Sequence, residues 1–151
     1  MEGRSIVKTS TRPTRLQIAF DLRRQAERYV GGTGLVGMCG ICSWLLARQF
    51  QKYGYSAAVV SGTFMGNDHC WVLSGKAIWD ITLTQFGEYL RVEWHDIGSR
   101  MVDEFQPEKV IRRRSEFNQW AELNQPTPDN TGWYKPNPLT IEVRDDMLEV
   151  V

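Results

Sequence analysis

The feature that most constrains the fold of this chain is a pair of short strand patterns, residues 69–73 and 77–83, with only three residues between them. Those three residues, Ser74-Gly75-Lys76, include the turn-forming glycine that a tight connection favours. We therefore predict a β-hairpin. Because side chains alternate between the two faces of a strand, the hairpin also determines which side chains lie together.

His69 and Asp80 lie on the same face of this hairpin for either two-residue loop. With residues 74–75 as the loop, the two positions are directly opposite each other. With residues 75–76 as the loop, Asp80 lies opposite Trp71 and diagonal to the histidine. Both registers place the two Cβ atoms within roughly 5 to 8 Å of each other, and only an odd loop would move one of them to the other face. The spacing therefore predicts an imidazole oriented by a carboxylate.

A cysteine opens the second of two helix patterns that precede the hairpin. The first pattern runs from Pro13 to a Gly31-Gly32 stop, and the second runs from Cys39 to about Tyr53. The N-terminus of a helix offers unpaired N–H groups and a partial positive charge, which favour a thiolate and can bind the oxyanion formed in its attack on a carbonyl. We therefore predict a nucleophile at Cys39, with Met38 in contact with the substrate.

A thiol, an imidazole and a carboxylate thus follow one another as Cys39, His69 and Asp80. These are the groups that acyl transfer by a cysteine nucleophile requires. In this hypothesis the cysteine forms a thioester, the histidine shuttles the proton, and the aspartate holds the ring and stabilises the imidazolium.

The residues around these three positions resemble the transglutaminase-like core of the papain-like cysteine enzymes. The resemblance covers about residues 37–82 and rests on six motifs, Gly37-x-Cys39, Leu45-Leu46, Gly54-Tyr55, Val59-Val60-Ser61-Gly62, His69-x-Trp71-Val72 and Trp79-Asp80-x-Thr82. It implies an α+β fold in which a catalytic helix packs on an antiparallel sheet, with Cys39 as nucleophile, His69 as base and Asp80 as orienting acid. Small proteases that cut leader peptides in lasso-peptide maturation are similar in this region. One departure is that Trp79 and Asp80 are adjacent, where family members often have intervening residues.

The chain has 151 residues, the size of one domain that can bury a core without disulfides or metals. We predict a single domain over residues 1–151, with a flexible start at 1–10 and a proline-rich loop at 125–138. Further elements are predicted between these ends, namely strands at 56–64 and around 90–94 and a last helix from Pro107 to about Leu123.

The charges, the apolar runs and the cysteines of the sequence predict which classes of partner and which cellular compartment to expect. Lys plus Arg and Asp plus Glu number 18 each, so the formal net charge is zero and we expect no nucleic-acid partner. No run of about 18 apolar residues and no secretory signal is present, so we expect no membrane partner. Three cysteines leave at least one thiol unpaired, which favours a reducing compartment, and we expect a cytoplasmic location.

The three groups determine the first half of the reaction but not the acceptor. Water gives a peptidase, an amidase or a glutamine deamidase, and an amine gives a transglutaminase; a role as a toxin or effector is an alternative for such an enzyme. We expect hydrolysis, since water is the default acceptor of a small domain. We expect a peptide or protein substrate, because Trp71 and the Trp133-Tyr134 loop can line a groove, whereas Trp79 fits ordinary core. No cofactor is expected, and the sequence predicts no oligomeric state.

Other interpretations of the cysteines stay open. The motif Cys39-Gly40-Ile41-Cys42 also resembles papain peptidases, in which the second cysteine is the nucleophile. We prefer the first cysteine, since Cys42 lies a turn into the helix, where fewer N–H groups are free. The same motif occurs in thiol-disulfide oxidoreductases, although the glycine-rich approach is a poor strand and the region lacks the proline that those folds place beside the motif.

A zinc site and a non-catalytic domain are the remaining hypotheses. Zinc would need Cys39, Cys42, His69 and Cys70 as ligands. Adjacent residues on a strand point to opposite faces, which separates the last two, so we expect no metal. A domain that kept the fold and binds a partner without catalysis would need none of the triad.

Overall fold

A computed structural model describes residues 12–32 and 34–111, which include both helix patterns, the hairpin and the three candidate catalytic residues. In this part of the chain two α-helices precede five β-strands, and no helix has the length and apolar character needed to cross a membrane. The predicted flexible start at residues 1–10, the proline-rich loop at 125–138 and the Trp133-Tyr134 pair lie outside the described residues.

Helix α1 (Arg15–Val30) is bounded by capping structures that its sequence encodes. The Thr14 hydroxyl accepts a hydrogen bond from the Gln17 N–H at 3.1 Å, and the Gln17 side chain accepts one from the Thr14 N–H at 2.8 Å, which is a capping box. At the other end, Gly31 has a φ of 73°, a left-handed conformation that glycine adopts without strain. The predicted helix is confirmed, and it begins two residues after Pro13.

Helix α2 (Cys39–Lys52) packs against α1 and the sheet, so nearly all of its length is buried. All of its predicted core positions are buried, namely Ile41, Leu45, Leu46 and Phe50. The helix ends before Tyr53, and Gly54 follows with a φ of 90°. The predicted helix is confirmed at both ends, with a cysteine as its first residue.

The strands form one antiparallel sheet in the order β4-β3-β2-β1-β5. They are β1 (Ala58–Phe64), β2 (Asn67–Ser74), β3 (Ala77–Asp80), β4 (Glu93–Asp96) and β5 (Phe105–Ile111). The first four strands pair in chain order, and the fifth crosses to the free side of β1. The protein therefore has the α+β class, with two helices packed on an antiparallel sheet.

The hairpin of β2 and β3 has the second of the two predicted registers, in which Val72 pairs with Trp79. Its loop is Gly75-Lys76, and both residues have positive φ (63° and 64°), as in the type I′ turn that suits a two-residue hairpin loop. The second strand is shorter than predicted, because β3 ends at Asp80 and a short 3₁₀ turn follows at Leu83–Phe86.

The predicted helix start at Pro107 is wrong, because Pro107 lies inside β5, and the rest of that predicted helix, residues 112–123, lies outside the described residues. A proline is tolerated there because β5 is the outermost described strand on its side and the ladder shifts register at this point, opposite Gly62. The shift brings the backbones close together, so that a Cβ on Gly62 would lie 2.0 Å from the Gln106 carbonyl oxygen. The strand expected around residues 90–94 occurs slightly later, as β4.

The two faces of the sheet are lined by different residues. The helix face packs against α1 and α2 and includes Val59, Cys70, Val72 and Trp79. The other face, here called the aromatic face, includes Val60, Phe64, Trp71, Ile78 and Phe105. By strand alternation His69 and Asp80 belong to the aromatic face and Cys70 belongs to the helix face, which is the parity predicted from the hairpin.

Candidate active site

The His69 and Asp80 side chains form a buried ion pair at the end of the hairpin. Nε2 of His69 donates to Oδ2 of Asp80 at 2.5 Å, and the two side chains are 0% and 1% exposed. The diagonal arrangement that the hairpin register gives is sufficient to bring them together. The contact has the short distance typical of a charge-assisted hydrogen bond.

The second oxygen of the carboxylate is also occupied. Oδ1 of Asp80 accepts the Thr82 N–H at 2.8 Å and the Thr82 hydroxyl at 3.3 Å. A side chain that accepts the amide two residues further on makes an Asx-type turn, which competes with continuation of the strand. This turn ends β3 and fixes the plane of the carboxylate that faces His69.

Aromatic rings fix the orientation of the imidazole. The Phe86 ring lies edge-on at 4.9 Å between centroids, and the Trp71 and Phe64 rings both lie at 6.1 Å. Trp71 is only 2% exposed and packs edge-on against Phe105 at 5.0 Å. Its burial behind the histidine argues against the direct substrate contact expected for it, and supports a role in holding the ring.

The pKa of His69 is set by opposing effects. Burial lowers it, but the charge and hydrogen bond of Asp80 and the nearby Cys39 thiol outweigh burial and raise it to about 10. Nδ1, the ring nitrogen that Asp80 does not use, is buried and has no hydrogen-bond partner among the described residues. The Cys39 thiol nevertheless raises the pKa of the ring by hydrogen bonding as well as by charge, so it lies close to the imidazole.

Cys39 of α2 influences side chains that belong to both faces of the sheet. The residues of β2 that precede Val72, which include His69, have no ladder partner in β3. The Cys39 thiol raises the pKa of both His69, on the aromatic face, and Cys70, on the helix face. The N-terminus of α2, a helix that packs against β2, therefore lies near both side chains.

Cys39 combines this position with free backbone donors. It is the first residue of α2, and the residue before it, Met38, makes no side-chain cap. The first hydrogen bond of the helix runs from the Cys42 N–H to the Met38 carbonyl at 2.9 Å. The N–H groups of Cys39, Gly40 and Ile41 consequently have no acceptor within the helix, and such groups can bind an oxyanion.

The approach to Cys39 is a strained turn. Leu35 has a φ of 54° and Gly37 a φ of 77°, and a positive φ is uncommon for a residue other than glycine. Between them Val36 is 77% exposed, whereas Met38 is 8% exposed and belongs to the core cluster. Because the Met38 side chain is buried, a substrate here would contact the backbone of Met38 rather than that side chain.

The other two cysteines lie in unreactive environments. All three thiols are free and buried. Burial first, and then the neighbouring Cys39, raise the pKa of Cys42 far above its usual value, and burial is also the main cause of the raised pKa of Cys70. These environments disfavour Cys42 as a nucleophile or redox centre. Among the described residues no group of three or more metal-ligating side chains is present.

Two residues beside the site were not predicted from the sequence. Arg23 of α1 is fully buried, and its guanidinium donates to the Ile81 carbonyl at 2.6 Å and to the Thr84 hydroxyl at 3.1 Å. Gln85 accepts the Gly37 N–H at 3.3 Å. The only sequence signal for the arginine was a charge within the apolar stripe of a helix, and a glutamine in a connection gives no signal.

Comparison with models of protein families, with curated proteins and with solved structures finds no match to this chain. The resemblance to the transglutaminase-like core therefore rests on the motifs, and the papain-like form of the core stays a prediction. The architecture around the site is that of two helices on a five-stranded antiparallel sheet.

Proposed function

We propose that this chain is a thiol-dependent acyl-transfer enzyme that hydrolyses amide bonds of a peptide or protein, as a cysteine peptidase or amidase. The observation that carries the proposal is the Asp80–His69 pair with its second ring nitrogen unoccupied and the Cys39 thiol close enough to raise the pKa of the ring. The raised pKa favours an imidazolium, which is the partner that a thiolate nucleophile requires.

The reaction follows from these positions. The Cys39 thiolate attacks the amide carbon, and the electron pair of the C=O bond moves to oxygen, where the free N–H groups at the start of α2 stabilise the negative charge. When the tetrahedral intermediate collapses, the C–N bond breaks and His69 gives its proton to the leaving nitrogen. A thioester on the cysteine and a neutral imidazole remain.

Water completes the cycle. The neutral His69 takes a proton from water as the water oxygen attacks the thioester carbon, and the C–S bond then breaks to release a carboxylic acid and the thiolate. Asp80 stays ionised throughout and stabilises the imidazolium in both half-reactions. An amine that attacks the same thioester would give a transglutaminase, which shares every step before deacylation.

The reaction class can be read by mass spectrometry of a proteome-derived peptide library incubated with the protein. We expect peptides cleaved with the addition of water, and we expect Cys39→Ala to abolish them. A gain of about one mass unit at glutamine would indicate a deamidase, and a crosslink would indicate a transglutaminase. Cys42→Ala is the matched control, because it removes a thiol of the same helix. The absence of any Cys39-dependent product would contradict the proposal.

A further inference from the structure

We propose that Gln85 is a positioning residue that couples the approach to the nucleophile with the carboxylate of the triad. The inference rests on the proposed function, because it assigns a role within that site. The side chain bridges two loops: its Oε1 accepts the Gly37 N–H at 3.3 Å and its Nε2 donates to the Thr82 carbonyl at 3.1 Å. Gly37 is two residues before Cys39, and Thr82 is two residues after Asp80.

These two bonds close a ring of interactions around the site. Thr82 donates to Oδ1 of Asp80, and Oδ2 of Asp80 accepts from His69. The histidine ring and the Cys39 thiol interact in turn, and the backbone from Cys39 returns to Gly37. Gln85 is the side chain that joins the two halves of this ring through hydrogen bonds, so it relates the position of the thiol to that of the carboxylate.

A second set of hydrogen bonds joins the same two loops to each other and to α1. The Thr84 hydroxyl donates to the Gly34 carbonyl at 3.3 Å and accepts from the buried Arg23 guanidinium at 3.1 Å. The same guanidinium holds the Ile81 carbonyl and pairs with Glu27 at 2.6 Å. The segment at residues 81–85 is therefore held against α1 without the Gln85 side chain. The role of that side chain is then to fix the backbone at Gly37.

The approach needs such a constraint because its backbone is strained. Leu35 has a positive φ, which a residue other than glycine keeps only where the surroundings enforce it, whereas Gly37 adopts its positive φ without strain. The orientation of the Gly37 amide determines the path of the next two residues. Loss of the bond to Gln85 is expected to let the turn relax, which moves the Cys39 thiol and the N–H groups at the start of α2 relative to His69.

The test compares Gln85→Met, which removes both bonds, with Gln85→Glu, which keeps an acceptor for the Gly37 N–H but cannot donate to the Thr82 carbonyl. Gln106→Met is the matched control, because the exposed Gln106 side chain also donates to a backbone carbonyl, that of Asp103, at 2.6 Å. Three quantities are measured: hydrogen exchange of the Gly37 amide, the rate of Cys39 alkylation by iodoacetamide as a function of pH, and the NMR signal of the His69 ring.

For Gln85→Met we expect Gly37 exchange to rise about tenfold and alkylation at neutral pH to fall about tenfold (a tenfold effect corresponds to one lost hydrogen bond). The His69 signal should stay that of a ring paired with Asp80. Gln85→Glu should retain most of the Gly37 protection, and Gln106→Met should match the wild type. If Gln85→Met does not fold, Gln85→Ala, which also removes both bonds, carries the test through the same alkylation profile.

Wild-type values of both Gly37 exchange and the alkylation profile in Gln85→Met would overturn the inference. A shift in the alkylation profile without faster Gly37 exchange would overturn it too, because the effect would not then pass through the approach. These readouts do not need turnover. If the wild type hydrolyses no peptide but the expected shifts occur, the coupling stands and the proposed function fails.

Discussion

Replacement of Asp80 by asparagine separates the charge of the carboxylate from its geometry. An asparagine keeps an oxygen that can accept the Thr82 N–H and an atom in the place of Oδ2, so the turn that ends β3 should persist. What disappears is the negative charge beside His69. Burial, which lowers the pKa of the ring, then has little to oppose it, and we expect the pKa of His69 to fall below its ordinary value of 6.5.

The size of the effect follows from the raised pKa. The pKa of His69 is raised from 6.5 to about 10. Since a tenfold change in a protonation equilibrium is worth about 1.4 kcal/mol, the surroundings favour the protonated ring by on the order of 5 kcal/mol. In Asp80→Asn the ring should be neutral at pH 7, and under the proposed function the nucleophile then loses its cationic partner, so that turnover should fall by about 10²- to 10⁴-fold.

The same shift predicts how stability depends on pH. The folded pKa of His69 is above its unfolded value, so the folded state binds more protons and the ring stabilises the fold fully below about pH 6.5. This contribution is lost as the pH rises through about 10. The free energy of unfolding of the wild type should therefore decline across this window more steeply than that of Asp80→Asn, as measured by denaturant titration.

NMR of the ¹⁵N-labelled histidines is the direct assay. The chain has two histidines, so a His95→Gln variant assigns both sets of ring signals. We expect the His69 ring to be protonated at pH 8 in the wild type and neutral at pH 7 in Asp80→Asn. A wild-type ring that is neutral at pH 8, or a variant ring that stays protonated at pH 7, would refute the reasoning.

Two further substitutions test the surroundings of the site. Gly62→Ala should destabilise the fold by about 2 kcal/mol or more, because its Cβ would lie 2.0 Å from the Gln106 carbonyl oxygen; thermal denaturation measures this, and an unchanged melting temperature would show that β5 can move aside. Cys42→Ala should lower the melting temperature slightly by leaving a small cavity but keep the alkylation rate of Cys39; loss of that rate would return Cys42 to consideration as the nucleophile.

The sequence was most informative where residues alternated regularly along two strands that a short loop joins. The parity of the hairpin placed His69 and Asp80 on one face for either even loop, and the structure has one of the two registers. Pro13 and the Gly31-Gly32 stop bounded α1, and the first residue of α2 was read from the glycine-rich approach. Each of these predictions depends on residues that are close together in the sequence, where local backbone geometry determines the structure.

The predictions that failed or were missed depend on distant parts of the chain. Pro107 is typical of a helix start, but it lies in a strand because β1 pairs with it across a register shift at Gly62, more than forty residues earlier. Arg23 and Gln85 join segments that are far apart in the chain. Nothing near them in the sequence indicates that α1 and the residues after Asp80 meet, since only the packed fold brings them together.

Cys39 packs with the helix face and raises the pKa of His69, which belongs to the aromatic face, and Asp80 has two roles beside this ring. With one oxygen the aspartate holds the imidazole, and with the other it accepts the Thr82 amide and turns the chain out of the sheet. β3 accordingly ends at Asp80 rather than at residue 83, the end that its apolar pattern predicted. The residue that orients the ring is therefore also the residue that ends the strand.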